Sequence, residues 1–251
     1  MPVQLKNNLQ MVILGKHGSG KTLYGKAILT LYALRNARDY MIALSAKPDL
    51  ETPHAPSQGP NYEIDLREFG FVPVRVRPGE GWGFSLLSLL SQYPRVILTE
   101  EGLSPEERAH WLHYLGRDVL ELGSAVILAD EAERFWPRYR CPEGMRDLLL
   151  RARWRGTDLI IIAHSDTSCA PEVLSEANAI LTYGFRHATR VERLKNYVEP
   201  EALVALGPYQ YLAVDDETGV RLRGSSTADL QWLWSQIRKA RIMAGDRESP
   251  I

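Results

Sequence analysis

The fold is decided by one stretch, Gly15-Lys16-His17-Gly18-Ser19-Gly20-Lys21-Thr22. It has glycine at its first and sixth positions and ends in Lys-Thr, which is the eight-residue pattern of a phosphate-binding loop. An apolar run over residues 10–14 precedes it, and a helical pattern of apolar residues follows over 21–35. The glycines let backbone N–H groups turn toward phosphate oxygens, and the helix N-terminus adds partial positive charge. All eight residues are predicted to bind nucleotide, with Lys21 reaching the β- and γ-phosphates and Thr22 binding Mg²⁺.

A second apolar run, residues 125–129, ends in the acidic pair Asp130-Glu131. Because parallel strands end at the same edge of a sheet, an acid on a neighbouring strand is expected beside the phosphate loop. Asp130 is predicted to hold Mg²⁺, directly or through water, and Glu131 to orient or deprotonate an attacking water. The alternative is a helix N-terminus capped by these acids. Two adjacent acids favour a hydrolase over a small-molecule kinase, which positions an acceptor instead.

The predicted nucleotide is ATP. Guanine-specific proteins usually use a Lys-x-Asp motif late in the chain. The one near match, Lys47-Pro48-Asp49, lies before the metal-binding strand. A third apolar run, residues 158–163, ends in His164, and a polar residue at such a strand end is expected near the γ-phosphate. The alternative for His164 is a simple strand cap.

Strand and helix patterns alternate along most of the chain, which is typical of an α/β fold with a mainly parallel sheet covered on both faces. Helices are predicted over residues 143–154 and 171–178, a hairpin from residues 209–214 and 219–223, and a last helix from 227–243. We predict a phosphate-loop ATPase domain over residues 1–224 and a helical appendage over 225–251. The last helix packs either on its own domain or on a neighbouring subunit.

The composition is that of an ordinary globular protein, with 251 residues, 45% hydrophobic residues and a net charge of −1. It excludes a wholly disordered chain, and two cysteines, Cys141 and Cys169, exclude a disulfide scaffold. We expect both to be reduced thiols in a cytoplasmic protein. No apolar run approaches the ~20 residues of a membrane span, so no transmembrane segment is expected.

The basic residues are 23 arginines and only seven lysines. Near-zero net charge argues against a protein coated all round with positive charge. The arginines are concentrated between residues 134 and 155. This stretch contains seven arginines and two acidic residues, so its local charge is +5. The seven are Arg134, Arg138, Arg140, Arg146, Arg151, Arg153 and Arg155. For each one alone, an ion-paired or solvated surface position is the alternative.

Three blocks together resemble the FtsK–HerA superfamily of DNA-pumping ATPases: GKHGSGKT at 15–22, VILADEAERFW at 126–136 and RARWRGTDLIIIAHS at 151–165. Residues 171–214 also look like the ends of genome-packaging ATPases of membrane-containing icosahedral viruses. The resemblance implies a three-layer P-loop NTPase of the RecA/FtsK-like, additional-strand type, with a mainly parallel central sheet and a C-terminal β-hairpin and helix.

The resemblance also implies roles for single residues. Lys21 and Glu131 take the nucleotide-binding and water-activating roles, and His164 stands where the family often has Gln. Arg153 best matches the arginine that precedes the sensor strand and reaches the ATP of the neighbouring subunit. Arg186, in Tyr-Gly-Phe-Arg, is a second candidate for that contact.

The expected function is therefore an ATP-driven double-stranded DNA translocase, as in a viral genome-packaging motor. Its expected partners are DNA, bound through phosphates without sequence preference, further copies in a ring such as a hexamer, and a capsid or viral-membrane docking protein. If the chain is viral, it is expected in the host cytoplasm and at the virion packaging vertex. The alternatives are an ATPase for DNA export or conjugative transfer, a small-molecule kinase, and a nucleotide-binding switch.

Overall fold

The computed structural model describes residues 8–16, 18–47, 50–51, 64–164, 167–184, 194–207, 209–215 and 221–243. The strands are β1 (Gln10–Leu14), β2 (Tyr40–Ser45), β3 (Val72–Val76), β4 (Arg95–Glu100), β5 (Ala125–Ala129), β6 (Asp158–Ala163), β7 (Ala179–Tyr183), β8 (Gln210–Asp215) and β9 (Arg221–Ser225). The helices are α1 (Lys21–Arg35), α2 (Leu86–Leu90), α3 (Pro105–Leu122), α4 (Glu143–Arg151), α5 (Glu172–Ser175), α6 (Pro200–Val204) and α7 (Ser226–Met243).

The described strands form one sheet of nine strands in the order β3-β4-β2-β5-β6-β1-β7-β8-β9. Strands β1 to β7 run in one direction, and β8 and β9 add an antiparallel hairpin at one edge. Strand β6 lies between β1 and β5, which is the additional-strand arrangement. The predicted fold, with its mainly parallel sheet, C-terminal hairpin and last helix, is confirmed. The shared direction also brings the ends of β1, β2, β5 and β6 to one edge, called here the carboxyl edge.

Helices cover both faces of the sheet, so the central strands are apolar on both sides. All six residues of β6 are buried. Leu159 and Ile161 pack in the layer of α2, α3 and α4, whereas Ile160 and Ile162 pack in the layer of α1 and α7. This double burial explains why β6 is a continuous apolar run instead of an alternating one.

Helix α1 lies directly against the sheet at Gly25. A Cβ atom at this position would be 2.6 Å from Cδ1 of Ile162 and 2.8 Å from Cδ1 of Leu128. In the sequence Gly25 is a weak point of a helical pattern, because glycine is a poor helix former. The absence of its side chain lets α1 approach β5 and β6, which places the first turn of α1 over the carboxyl edge.

Two predicted helices are shorter in the structure. The helix expected over residues 143–154 ends at Arg151 and continues as a 3₁₀ turn, since Gly156 leaves the helix with a left-handed φ of 69°. The helix expected over residues 171–178 is confined to Glu172–Ser175. Asn178 is held outside it, because its side chain accepts from the N–H of Gln10 at 2.8 Å.

Helix α7 packs on α1 within its own chain. Leu230 and Ile237 are buried in the core that contains α1, and Trp232 and Trp234 pack against that core. The Asp229 carboxylate accepts a hydrogen bond from the buried Tyr211 hydroxyl of β8. For the described residues, intrachain packing is the observed alternative, and the domain boundary between residues 224 and 225 stays a prediction.

No described helix combines the length and the apolar character that a bilayer span requires. In the same part of the chain, Cys141 and Cys169 form no disulfide, as the sequence predicts.

Helices α3 and α4 meet backbone to backbone at two glycines. A Cβ atom at Gly116 would lie 2.2 Å from the carbonyl oxygen of Gly144, and one at Gly144 would lie 1.8 Å from that of His113. The N–H of Gly144 also donates to Nδ1 of His113 at 3.2 Å. This contact fixes α4, and with it the segment that joins α4 to the acidic end of β5.

We expect Gly116→Ala to lower the free energy of unfolding by about 1–3 kcal/mol, because the new methyl group meets backbone atoms that cannot rotate away. Alanine is the better helix former by about 1 kcal/mol, so propensity alone predicts the opposite sign. Urea denaturation measures the difference. Gly83→Ala is the matched control, since no atom lies within 4 Å of a Cβ there, and it should change stability by less than about 0.5 kcal/mol. Unchanged or increased stability of Gly116→Ala would contradict the close contact.

Candidate active site

The phosphate-binding loop connects β1 to α1 at the carboxyl edge. Gly18 and Gly20 have φ angles of 75° and 87°, a left-handed conformation that favours glycine. Gly15 is required for space, since a Cβ there would lie 2.9 Å from the Cβ of Tyr183 on β7. The loop geometry therefore explains the three glycines of the motif, whereas His17 lies outside the described residues.

Lys21 is buried in the first turn of α1. Its ammonium group donates to the carbonyl oxygens of Gly15 at 2.6 Å and Lys16 at 2.8 Å. Burial lowers the pKa of Lys21 to about 8, although the negative charges of Asp130 and Glu133 raise it. The group therefore still carries its proton at pH 7 and supplies a positive charge inside the loop.

Thr22 and Asp130 form the candidate metal site. The Thr22 hydroxyl donates to Oδ2 of Asp130 at 2.8 Å. Burial raises the pKa of Asp130, whereas the hydrogen bond from Thr22 lowers it. A hydroxyl and a carboxylate oxygen at this separation fit Mg²⁺, which prefers oxygen ligands and is usually held by one or two carboxylates together with phosphates and water.

The strand order changes how Asp130 reaches the loop. The sequence pattern predicts this acid on a strand next to β1, but β6 lies between β1 and β5. Helix α1 packs over both β5 and β6, so Thr22 in its first turn reaches across to Asp130. The acid and the loop therefore meet through α1 and not through adjacent strands.

Glu131 follows Asp130 in a left-handed backbone conformation, with φ of 58°. This conformation is uncommon for residues other than glycine and is concentrated at functional sites. The Glu131 N–H donates to Oδ1 of Asp130 at 3.0 Å, and its carboxylate accepts from the Lys47 ammonium. Glu131 is thus held at the carboxyl edge beside the candidate metal site.

His164 lies at the end of β6 next to Lys21. Its ring Nδ1 is 3.4 Å from the Lys21 ammonium nitrogen. The backbone N–H of His164 donates to Oε1 of Glu133 at 2.6 Å. Burial, and then the positive charge of Lys21, lower the pKa of His164 below its usual 6.5. The imidazole is therefore mainly neutral at pH 7, so one ring nitrogen accepts a hydrogen bond and the other donates. The structure brings His164 to the site, as expected of a sensor, and its catalytic role stays a prediction.

Two residues of this site were missed in the sequence. Lys47 stands out in the sequence only as part of Lys47-Pro48-Asp49, because its proximity to Glu131 depends on β2 pairing with β5. Glu133 has a weak signal, since it is one of three acids in Asp130-Glu131-Ala132-Glu133. Its contact with His164 depends on the turn after β5, which the sequence does not specify.

Arg153 is not part of this constellation. It precedes β6 and therefore lies at the opposite edge of the sheet, where it pairs with Glu176 at 3.6 Å. The six residues of β6 separate the two edges by about 16–20 Å, so Arg153 does not reach the Lys21 of its own chain. Contact with the site of another subunit stays a prediction for Arg153, and Arg186 lies outside the described residues.

Several arginines of the basic stretch form ion pairs. Arg134 binds Glu100 of β4, with its Nη2 2.5 Å from Oε1, and Arg146 binds Glu172 at the same distance. Arg151 lies 4.0 Å from Asp147. Glu100, Glu172 and Glu176, which pairs with Arg153, lie outside the stretch, so these three carboxylates reduce its local charge from +5 to +2.

Arg138, Tyr139 and Arg140 remain exposed and are called here the basic tip. Tyr139 is 77% exposed, and the Arg138 guanidinium lies 5.6 Å from the centre of its ring. The Arg138 N–H donates to the Ser168 carbonyl at 2.9 Å, which ties the segment after β5 to the segment after β6. Neither arginine of the tip pairs with a carboxylate within the described residues.

Comparison of the fold with solved structures finds similar chains that match most of this one. The genome-packaging NTPase B204 of Sulfolobus turreted icosahedral virus 2, in complex with AMPPCP, is 16% identical with a TM-score of 0.62; the match covers 88% of this chain and 99% of that one. The bacterial conjugative coupling protein TrwBΔN70 is 9% identical with a TM-score of 0.60, covering 87% and 85%. VirB4 of Thermoanaerobacter pseudethanolicus is 13% identical with a TM-score of 0.61, covering 86% and 88%.

No protein-family model and no curated protein sequence match the chain. The structural matches nevertheless extend over 86–88% of it. The chain therefore shares its fold with P-loop NTPases of the FtsK–HerA type.

Proposed function

We propose that the protein hydrolyses ATP and uses the energy to move double-stranded DNA, as a genome-packaging motor. The observation that carries the proposal is the Thr22–Asp130 pair beside Lys21, with Glu131 and His164 at the same edge. This set contains a phosphate-binding cation, two Mg²⁺ ligands, a candidate base and a polar sensor. A nucleotide-binding switch without turnover needs no such base.

In the proposed reaction, Lys21 and the N–H groups of the loop bind the β- and γ-phosphates, and Thr22 and Asp130 hold Mg²⁺. When bound, the ion neutralises charge on the phosphate oxygens. Glu131 orients a water molecule and accepts its proton as the oxygen bonds to the γ-phosphorus. The bond between that phosphorus and the bridging oxygen breaks, and ADP leaves with the electron pair. His164 contacts Lys21 and so lies where a γ-phosphate is expected.

Packaging is preferred to conjugative transfer because of the extent of the matches. The chain covers 97–99% of the viral ATPase structures, against 85% of the conjugative coupling protein and 88% of VirB4. The similar TM-scores keep DNA export or conjugative transfer as the second candidate. B204 of Sulfolobus turreted icosahedral virus is a DNA-packaging ATPase, and this supports DNA as the substrate here.

The basic tip is the surface that we assign to DNA phosphates within this proposal. Its two arginines lie at the carboxyl edge, on the segment that follows Glu131, whereas Arg134 and Arg146 are occupied by carboxylates. Phosphate contacts of this kind are independent of sequence and sensitive to salt. A shared segment would also connect DNA contact to the candidate base.

A ring of identical subunits completes the proposal. Arg153 cannot serve its own site, so it would act on the ATP of a neighbour, with Arg186 as the second candidate for this contact. A capsid or viral-membrane protein would dock the ring at the packaging vertex.

The decisive test is ATP hydrolysis by the wild type with and without long duplex DNA, at two salt concentrations. We expect turnover that DNA stimulates and that salt suppresses toward the DNA-free rate, because phosphate contacts release counterions. Phosphate transfer to a small acceptor, or turnover that ignores DNA, would contradict the motor.

Glu131→Gln is the matched variant for the site in that assay. It keeps the shape of the side chain but cannot accept the proton, so kcat should fall about 10²–10⁴-fold while the affinity for an ATP analogue is retained. Normal turnover would assign the base elsewhere, with Glu133 as the next acid in the segment.

Replacing both arginines of the basic tip, in Arg138→Ala/Arg140→Ala, should weaken duplex DNA binding and leave ATP binding intact. Loss of two phosphate contacts should reduce the slope of log K against log salt by about 2. Arg146→Ala is the control, because that side chain is exposed but paired with Glu172, and it should bind DNA as the wild type does. Equal slopes for both variants would remove the tip from the DNA surface.

Mixing Arg153→Ala with Glu131→Gln tests the contact in trans. If Arg153 completes a neighbouring site, the intact base of an Arg153→Ala subunit can work with the intact arginine of an adjacent Glu131→Gln subunit, so the mixture should regain turnover that each variant lacks alone. Arg151→Ala, an exposed arginine of the same stretch, is the control and should keep its turnover unmixed. Turnover that Arg153→Ala retains alone, or no recovery in the mixture, would favour Arg186 for this role.

A further inference from the structure

Lys47 contacts the candidate base because β2 and β5 are adjacent. Leu44 of β2 pairs with Ala129 of β5, and the Asp130 N–H donates to the Leu44 carbonyl at 2.9 Å. The chain positions that follow these residues therefore stay close beyond the sheet. There the Lys47 ammonium donates to Oε1 of Glu131.

The backbone of Lys47 is fixed although its side chain is exposed. The buried Ser45 hydroxyl accepts from the Lys47 N–H at 3.3 Å and donates to the Lys47 carbonyl. On the other side Leu50 is fully buried, and Glu51 accepts from the Thr99 hydroxyl at 2.6 Å. The Lys47 side chain itself is 61% exposed, against 20% for Glu131. The backbone of Lys47 is therefore fixed, whereas its ammonium group is exposed to water. Such an arrangement suits an ion pair that forms and breaks.

The strand order determines toward which side of β5 this ion pair draws the Glu131 carboxylate. Around Glu131 the strands follow in the order β2-β5-β6-β1, so β2 and the phosphate-binding loop lie on opposite sides of β5. A contact with Lys47 draws the Glu131 carboxylate toward β2, away from Lys21 and Thr22. The ammonium also occupies Oε1, one of the two oxygens able to accept a proton from water.

We propose that Lys47 is a positioning residue that restrains the base of the ATPase, so that hydrolysis requires the Lys47–Glu131 pair to open. This inference rests on the proposed function, in which Glu131 activates the attacking water. Exposed ion pairs are weak and are screened by salt. The restraint is therefore partial and reversible, and it lowers the basal rate without abolishing turnover.

Lys47→Met tests the restraint, because it keeps the apolar stem and removes the charge. At saturating ATP and without DNA, we expect kcat to rise about two- to fivefold, the range by which an exposed pair favours its closed form. KM should be unchanged, since Lys47 is not assigned to nucleotide binding. Lys47→Arg should retain the low wild-type rate, and Lys239→Met, an exposed lysine of α7, is the control for removing a charge.

The dependence of the DNA-free kcat on ionic strength is a second readout. It would not change if Lys47 only stabilised the fold. Salt screens the pair, so raising it should increase the DNA-free kcat of the wild type at saturating ATP and narrow its difference from Lys47→Met. Thermal unfolding of each variant verifies that the exposed substitution leaves the fold intact.

The outcomes separate this inference from the proposed function. Turnover that is lost in Glu131→Gln but unchanged or slower in Lys47→Met would overturn the restraint and leave the ATPase in place. Absence of turnover in the wild type and in Lys47→Met alike would overturn the restraint and the proposed activity together.

Discussion

The hydrogen bond from Thr22 to Asp130 joins two parts of the site that the sheet keeps apart. With β6 inserted between β1 and β5, the phosphate-binding loop and the acid end on strands that do not touch. The first turn of α1 spans that gap, because the helix lies close enough to the sheet. Gly25 permits this approach, since any side chain there would meet Leu128 and Ile162. The insertion of β6 thus requires close packing of α1 several residues beyond the loop.

The turn after β5 then distributes the acids to different neighbours. Asp130 continues the strand direction toward α1, but the left-handed backbone of Glu131 breaks the alternation of a strand. As a result Glu131 reaches Lys47 beyond β2, whereas Glu133 reaches the backbone of His164 beyond β6. One short segment therefore contacts the strands on both sides of β5. Any movement of it changes the surroundings of the candidate base and of the candidate sensor together.

The sequence predicts those parts of the fold that depend on local pattern. Apolar runs identify β1, β5 and β6 because helices cover both faces of these strands, and the loop motif identifies its own glycines and Lys21. Local sequence patterns do not specify the order of strands in the sheet. The strands adjacent to β5 are therefore known only from the family resemblance or from the structure. Lys47 was missed for this reason. The ion-pair partner of an arginine is also set by residues distant in sequence. Arg134, for example, pairs with Glu100, which lies 34 positions earlier.

These pairings give the net charge of −1 a different meaning from the one it has in the sequence. A long-range field requires uncompensated charge, and an arginine held by a carboxylate contributes little to it. Glu100, the last residue of β4, binds both Arg108 and Arg134, so these two arginines help to hold the carboxyl edge together. Within the described residues, the two arginines of the basic tip pair with no carboxylate, so their positive charge is available to bind a polyanion. A nearly neutral chain is therefore compatible with DNA binding, provided that binding is confined to such a place and not spread over the surface.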